Sequence, residues 1–181
     1  MLGSQVQEIL RGRCMVQASR WKDITGWGTV EGQWLRRRHF SDEALTRVAE
    51  RIRQAEAAHS GELMVAIEAA SPLHEPDSAL RALEVFGRLR AWDTPLNTGV
   101  LLYLALDRRA MHIIADRGVN AADTQWQGVC DRLRERLRLR QYEAGLLAAI
   151  DEIEAILTDS CPPLAPGAPN TNDLPDRPVL L

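Results

Sequence analysis

The sequence predicts an α/β fold: a three-layer-like sandwich in which a small mixed β-sheet, a parallel pair plus an antiparallel hairpin partner, is flanked by about four helices. Three observations carry this. Val100 to Leu106 is seven apolar residues without a break, the pattern of a strand buried on both faces. Ala110 to Asp116 is a shorter run with β-branched residues, and only Asp107-Arg108-Arg109 separates the two, a gap that permits only a hairpin. Upstream, Leu63 to Ile67 reads as a further strand, and the segment between it and Gly99 contains a helix. The two upstream strands should therefore be parallel, with a right-handed crossover.

Taken in order, residues 1–39 form an extension that is either poorly ordered or docked through Trp21, Trp27 and Trp34, because Gly26, Gly28 and Gly32 interrupt any periodicity. Ser41-Asp42-Glu43 starts a helix with an N-cap serine and acids in the first turn. Leu45, Val48, Ile52 and Ala55 then recur at helical spacing, so 42–59 is an amphipathic helix, and Gly61 ends it. Ser71 to Asp77 is a loop, and Asp77-Ser78 caps a second helix whose buried stripe is Leu80, Leu83, Phe86, Gly87 and Leu89. Trp92-Asp93-Thr94-Pro95 terminates it. After the hairpin, Trp126, Val129, Leu133 and Leu137 mark one helix, and Leu146, Ile150, Ile153 and Leu157 mark another. Residues 40–160 thus make the α/β domain. Residues 161–181 hold six of the nine prolines and are expected to be disordered.

Composition narrows the function classes. Apolar residues at 45% and charged residues at 26% are ordinary for a globular protein. The longest uncharged apolar run, Gly99 to Leu106, is too short to cross a bilayer, which takes about 20 residues. Met1 to Leu10 lacks the basic start and apolar stretch of an export signal, and Cys14, Cys130 and Cys161 show no paired spacing. These features lead to the expectation of a reducing, cytoplasmic setting. Residues 1–40 carry a balance of +4 and the remainder −7, so the folded part has no basic character that would suit a nucleic acid.

Orthodox catalytic motifs are missing: there is no phosphate loop, no His-Glu-x-x-His, no Cys-x-x-Cys and no Gly-x-Ser-x-Gly. No nucleotide cofactor is therefore expected. Cys130 to Arg136 and Cys14 to Arg20 match the Cys-x5-Arg spacing of cysteine phosphatases, but Cys130 falls inside a helical pattern rather than a phosphate-binding loop. His39, His59, His74 and His112 show no ligand spacing.

Candidates for chemistry come from topology. Parallel strands at 62–68 and 99–106 bring Glu62 and Asn97-Thr98-Gly99 to one edge, and the hairpin returns Asp116 to that edge. Asp93 lies in the loop that enters it. Glu62, Asp93, Asn97 and Asp116 would then offer oxygen ligands to Mg²⁺ or Ca²⁺, with Gly61, Gly99 and Gly118 allowing close backbone approach. The competing reading is that these acids cap helices or pair with arginines, and Arg90 and Arg117 are close in sequence. Asp107, in the hairpin turn, and Asp123, an expected N-cap, are weaker candidates. The run Arg132, Arg134, Arg136, Arg138 and Arg140 is either a solvated helix face or a docking surface for an acidic partner or anionic head groups.

Ser60-Gly61-Glu62, Asn97 to Leu102, Ile113 to Val119 and Tyr142 to Leu146 occur in an order and spacing that resemble the TPM domain, a family of bacterial proteins and chloroplast photosystem-repair factors. The resemblance covers roughly Phe40 to Pro163. It implies an α/β sandwich, with weak phosphatase activity and divalent-cation binding in some members and an accessory role in membrane-protein complexes in others. By this resemblance the chain would be a short form without signal peptide or membrane anchor, peripheral at the membrane. The implied role is a non-enzymatic accessory module that binds a divalent cation and serves a membrane or envelope protein complex. The alternative is a weak metal-dependent phosphatase.

Overall fold

In a computed structural model, the described residues are 13–16 (backbone only), 27–56, 59–161 and 174–181. Five strands and five helices occur among them: β1 (Arg13–Val16), α1 (Trp27–His39), α2 (Asp42–Glu56), β2 (Glu62–Glu68), α3 (Ser78–Arg88), β3 (Gly99–Ala105), β4 (Ala110–Ala115), α4 (Asp123–Arg138), α5 (Tyr142–Ser160) and β5 (Val179–Leu180). The sheet order is β1-β4-β3-β2-β5. β2 and β3 are parallel from Glu62↔Gly99 to Glu68↔Ala105, and β3 and β4 are antiparallel from Val100↔Ala115 to Ala105↔Ala110. The parallel pair and its hairpin partner are thus as the apolar runs dictate.

Alternation along the strands makes the layers. Leu63, Val65, Ile67, Val100, Leu102, Leu104, Met111 and Ile113 join one core with side chains of α1, α2, α4 and α5. Met64, Ala66, Leu101, Tyr103 and Ile114 join the other, beneath Ala82, Val85 and Phe86 of α3. Every residue of β2, β3 and β4 is buried, as strands covered on both faces must be.

Several elements differ from the sequence reading. α2 is described from Asp42 to Glu56, and His59, the expected last helical residue, lies outside a helix. On α3 the buried side chains are Arg81, Ala82, Val85 and Phe86, while Leu80 is 49% exposed. The stripe is rotated because Arg81 turns inward: its guanidinium donates to both carboxylate oxygens of Glu68 at 2.6–3.2 Å. Burying a paired arginine outweighs the apolar count of the leucines. Asp123 is the first helical residue of α4, and Ala122 takes the N-cap position. Asp77 does cap α3, accepting from Ala79 N at 2.8 Å.

Parts of both chain ends contribute to the sheet. β1 pairs antiparallel with β4, and α1 buries Leu35 in the larger core. Leu174 is buried, and Val179-Leu180 pairs in parallel with Ala66-Ile67 of β2. The ladder continues with Leu181 N donating to Ile67 O at 3.0 Å. These eight residues are therefore a structured end to the tail expected to be disordered. Trp21, the Cys14 and Trp27 side chains, and Pro162 to Pro169 lie outside the described residues. Cys130 and Cys161 are buried, and Cys130 sits within α4. No described helix is long and apolar enough to cross a membrane.

Candidate functional site

The starting edge of β3 is built by a loop and a turn that interlock. Between α3 and β3, Asn97 N donates to Thr94 O at 3.1 Å and Thr98 N donates to Thr94 Oγ1 at 2.9 Å. The Thr98 hydroxyl reaches Ser60 O at 2.5 Å, which ties the loop to the residue before Gly61. Asn97 has φ of 56°, the left-handed region that asparagine tolerates better than most side chains. On the other side, Asp116 N donates to Gly99 O at 2.9 Å, and Gly118 N donates to Asn97 O at 2.8 Å. Gly118 is pressed against this backbone so closely that a Cβ there would stand 2.1 Å from Leu96 O.

The four candidate ligands separate in this geometry. Asn97 and Asp116 are brought together, as the hairpin requires. The Asn97 Oδ1 accepts from Arg117 Nη2 at 3.1 Å, and Asp116 Oδ1 accepts from Arg117 N at 2.7 Å. Asp116 Oδ2 has no partner among the described residues. Asp93 is exposed and paired with the Arg90 guanidinium. Glu62 is buried, and its Oε2 accepts from Leu174 N at 3.3 Å. The returning end of the chain covers Glu62, and that segment carries no sequence pattern announcing its return. Among the described residues, no three His, Cys, Asp or Glu side chains form a group that could hold a metal. Asp107, at the opposite edge, accepts from Ser71 N at 2.7 Å and Ser71 Oγ at 2.8 Å, a loop-closing role.

The same edge carries exposed apolar and cationic groups. Trp92 is 46% exposed and Leu96 49%, and the Arg90 guanidinium lies 5.9 Å from the Trp92 ring centroid. Arg117 is exposed beside them. A half-exposed tryptophan stacked with arginine on a hydrogen-bonded loop has the composition of a protein contact surface.

Two buried polar networks escape sequence reading. In the first, His59 Nδ1 accepts from Gly61 N at 3.1 Å, and His59 Nε2 lies 2.8 Å from Glu154 Oε2. Glu56 accepts from Leu63 N at 2.7 Å, and burial pushes its carboxyl up to about 9, with Glu62, Glu154 and Asp176 adding to the rise. Burial likewise raises Glu154, opposed by His59. In the second, Tyr103 donates to Glu68, which also holds Arg81, and burial followed by the Glu68 contact raises the phenol. One signal was present: Glu56 follows Ile52 by four residues, and Glu154 follows Ile150 by four, so both acids occupy apolar-face positions.

A mixed sheet between helical layers, with an edge where a hairpin and a crossover loop lock together, defines the class as an α/β sandwich. The family model of the TPM domain (TPM phosphatase) matches residues 37–156, and the chain belongs to that family. The NMR structure of BA42 protein from the psychrophilic bacterium Bizionia argentinensis is similar, with 27% identity and a TM-score of 0.68. The match covers 77% of this chain and 94% of that one. No curated protein matches the chain.

Proposed function

We propose that this chain is a non-enzymatic interaction module that docks on a membrane or envelope protein complex through the Arg90–Asn97 loop and the Asp116–Gly118 turn. The observation that carries this reading is the exposed Trp92, stacked with Arg90 and flanked by Leu96, on a loop immobilised by Thr94 and Asn97 hydrogen bonds. Preformed loops bearing Trp and Arg bind partners at low ordering cost. Asp93 and Asn97 are engaged by arginines of the same chain, which favours positioning over metal ligation.

A weak cation-dependent hydrolase is the second reading. It is favoured by the open Asp116 Oδ2 and by the family's name. In that reading Mg²⁺ or Ca²⁺ would rest on one carboxylate, and millimolar affinity is the expectation for so few protein ligands.

The docking reading is tested with the immobilised full chain and detergent-solubilised envelope proteins of its own cell. A protein retained by wild type and lost with Trp92→Ala, while Leu80→Ala on α3 retains it, supports the reading. Equal retention by wild type and Trp92→Ala contradicts it.

A further inference from the structure

We propose that a cavity between the β3–β4 hairpin and the end of α4 binds a small amphipathic anion: a carboxylate or phosphate monoester head on an apolar body. The inference goes beyond the docking reading and concerns a different part of the molecule. The cavity measures about 390 Å³, within the range of small-molecule sites. Its inner wall is apolar, including Leu35, Leu104, Leu106 and Met111, all buried. Its charged lining consists of Arg109, Arg134, Arg138 and Arg140, with no acidic side chain among the lining residues.

Arg109 is paired with Glu31, while the other three arginines are incompletely satisfied by the protein. Arg134 Nε is buried without an acceptor among the described residues. Arg140 forms no ion pair among them and sits at φ of 60°, which holds it at the helix end. Arg134 reaches Asp131 at 3.0 Å and Arg138 reaches Glu135 at 3.7 Å, both exposed pairs one turn back along α4. Such pairs are weak and readily exchanged. The field reaches His39, which stacks on Tyr142 at 4.2 Å; burial lowers its pKa first, then Arg38 and Arg140 lower it further.

A buried guanidinium N–H needs an acceptor, and an apolar floor needs covering. One ligand supplies both: an anionic head at the arginines, with its body on Met111 and Leu104. Guanidinium forks suit carboxylate and phosphate equally, so the head group is assigned by charge and planar or tetrahedral oxygens alone. A free amphiphile is favoured over a bilayer surface because the apolar contacts lie inside a cavity rather than on a protruding face.

The test uses the full chain, with methyl NMR of Met111 and Leu104 and calorimetry. Decanoate and decyl phosphate are the probes, below their micelle-forming concentrations, with decanol and acetate as controls. Decanoate and decyl phosphate should move the Met111 and Leu104 methyl signals, while decanol and acetate bind far more weakly. Arg134→Gln and Arg140→Gln should each weaken decanoate binding about tenfold, as expected for one charge-assisted hydrogen bond. Neither side chain is part of the core, so the free variants should melt with wild type, and Arg88→Gln on α3 should bind normally. Decanol binding as tightly as decanoate, unchanged affinity in both variants, or unmoved Met111 methyl signals would overturn the proposal. Binding to phosphatidylglycerol vesicles without response to decanoate would also overturn it, assigning the arginines to a membrane surface.

Discussion

The amide of Gly118 donates to the carbonyl of Asn97 at 2.8 Å, which ties the turn after β4 to the residue that enters β3. The lock exists because residue 118 has no side chain: a Cβ would stand 2.1 Å from Leu96 O and 2.6 Å from Asn97 O. Both of these are backbone atoms and cannot swing aside. Gly118→Ala should therefore destabilise the domain by roughly 1–3 kcal/mol, the range for overpacking. Urea denaturation checks this. The Asn97 amide signal should shift in the variant, because its turn must move.

Leu104 lies near the end of β3, the central strand of the sheet, and is 2% exposed. Truncation there leaves a cavity between the sheet and the α4–α5 layer. Leu104→Ala should cost about 2–5 kcal/mol, measured by chemical denaturation. The same substitution at Leu73, which is 99% exposed, should be near neutral.

The end of the chain is a strand partner rather than a free tail. Leu174 is buried, and Leu181 N bonds to Ile67 O at 3.0 Å. Deleting residues 174–181 should lower the melting temperature by about 4–8 °C, the shift for a loss near 2 kcal/mol in a chain of this size. It also uncovers Glu62, which loses its hydrogen bond from Leu174 N. An unchanged melting temperature would show that β5 adds nothing to stability.

Glu56 gives the fold a pH dependence of defined sign. Its carboxyl is held at about 9 in the native state, first by burial, against 4.5 for the ordinary group. The native state therefore binds the proton more tightly than the unfolded chain. The associated stability is complete below about pH 4.5 and is lost as pH rises toward 9. Glu56→Gln keeps an oxygen for Leu63 N and removes the titration. The melting temperature of Glu56→Gln relative to wild type should rise steadily between pH 5 and about 9. A constant difference across that window would contradict a buried, protonated Glu56.

The strands were legible because burial on both faces leaves an uninterrupted apolar run, and three residues between two such runs leave only a hairpin. The convergence of Asn97 and Asp116 followed from that topology alone. The buried face of α3 was not legible: Arg81 reads as a surface residue until its partner Glu68 is known to lie across the interface. The partners of Glu62 and Glu56 were hidden for a related reason. Their surroundings come from residues 154 and 174–176, over 90 positions away in sequence, and local periodicity carries no information on such partners. β5 is two residues long and follows a proline-rich stretch, so its apolar end, Val179-Leu180-Leu181, gives too short a pattern to read as a strand.

The central claim is that the Asn97–Asp116 edge is a contact surface and not a hydrolytic centre. It is tested most directly by titrating Mg²⁺ into wild type and Asp116→Asn while recording amide NMR spectra and aryl phosphate hydrolysis on the same samples. The account predicts weak, millimolar perturbation confined to residues around Asp116 and Arg117, absent in Asp116→Asn, with no hydrolysis above the protein-free rate. Saturable Mg²⁺-dependent hydrolysis by wild type that disappears in Asp116→Asn would contradict it.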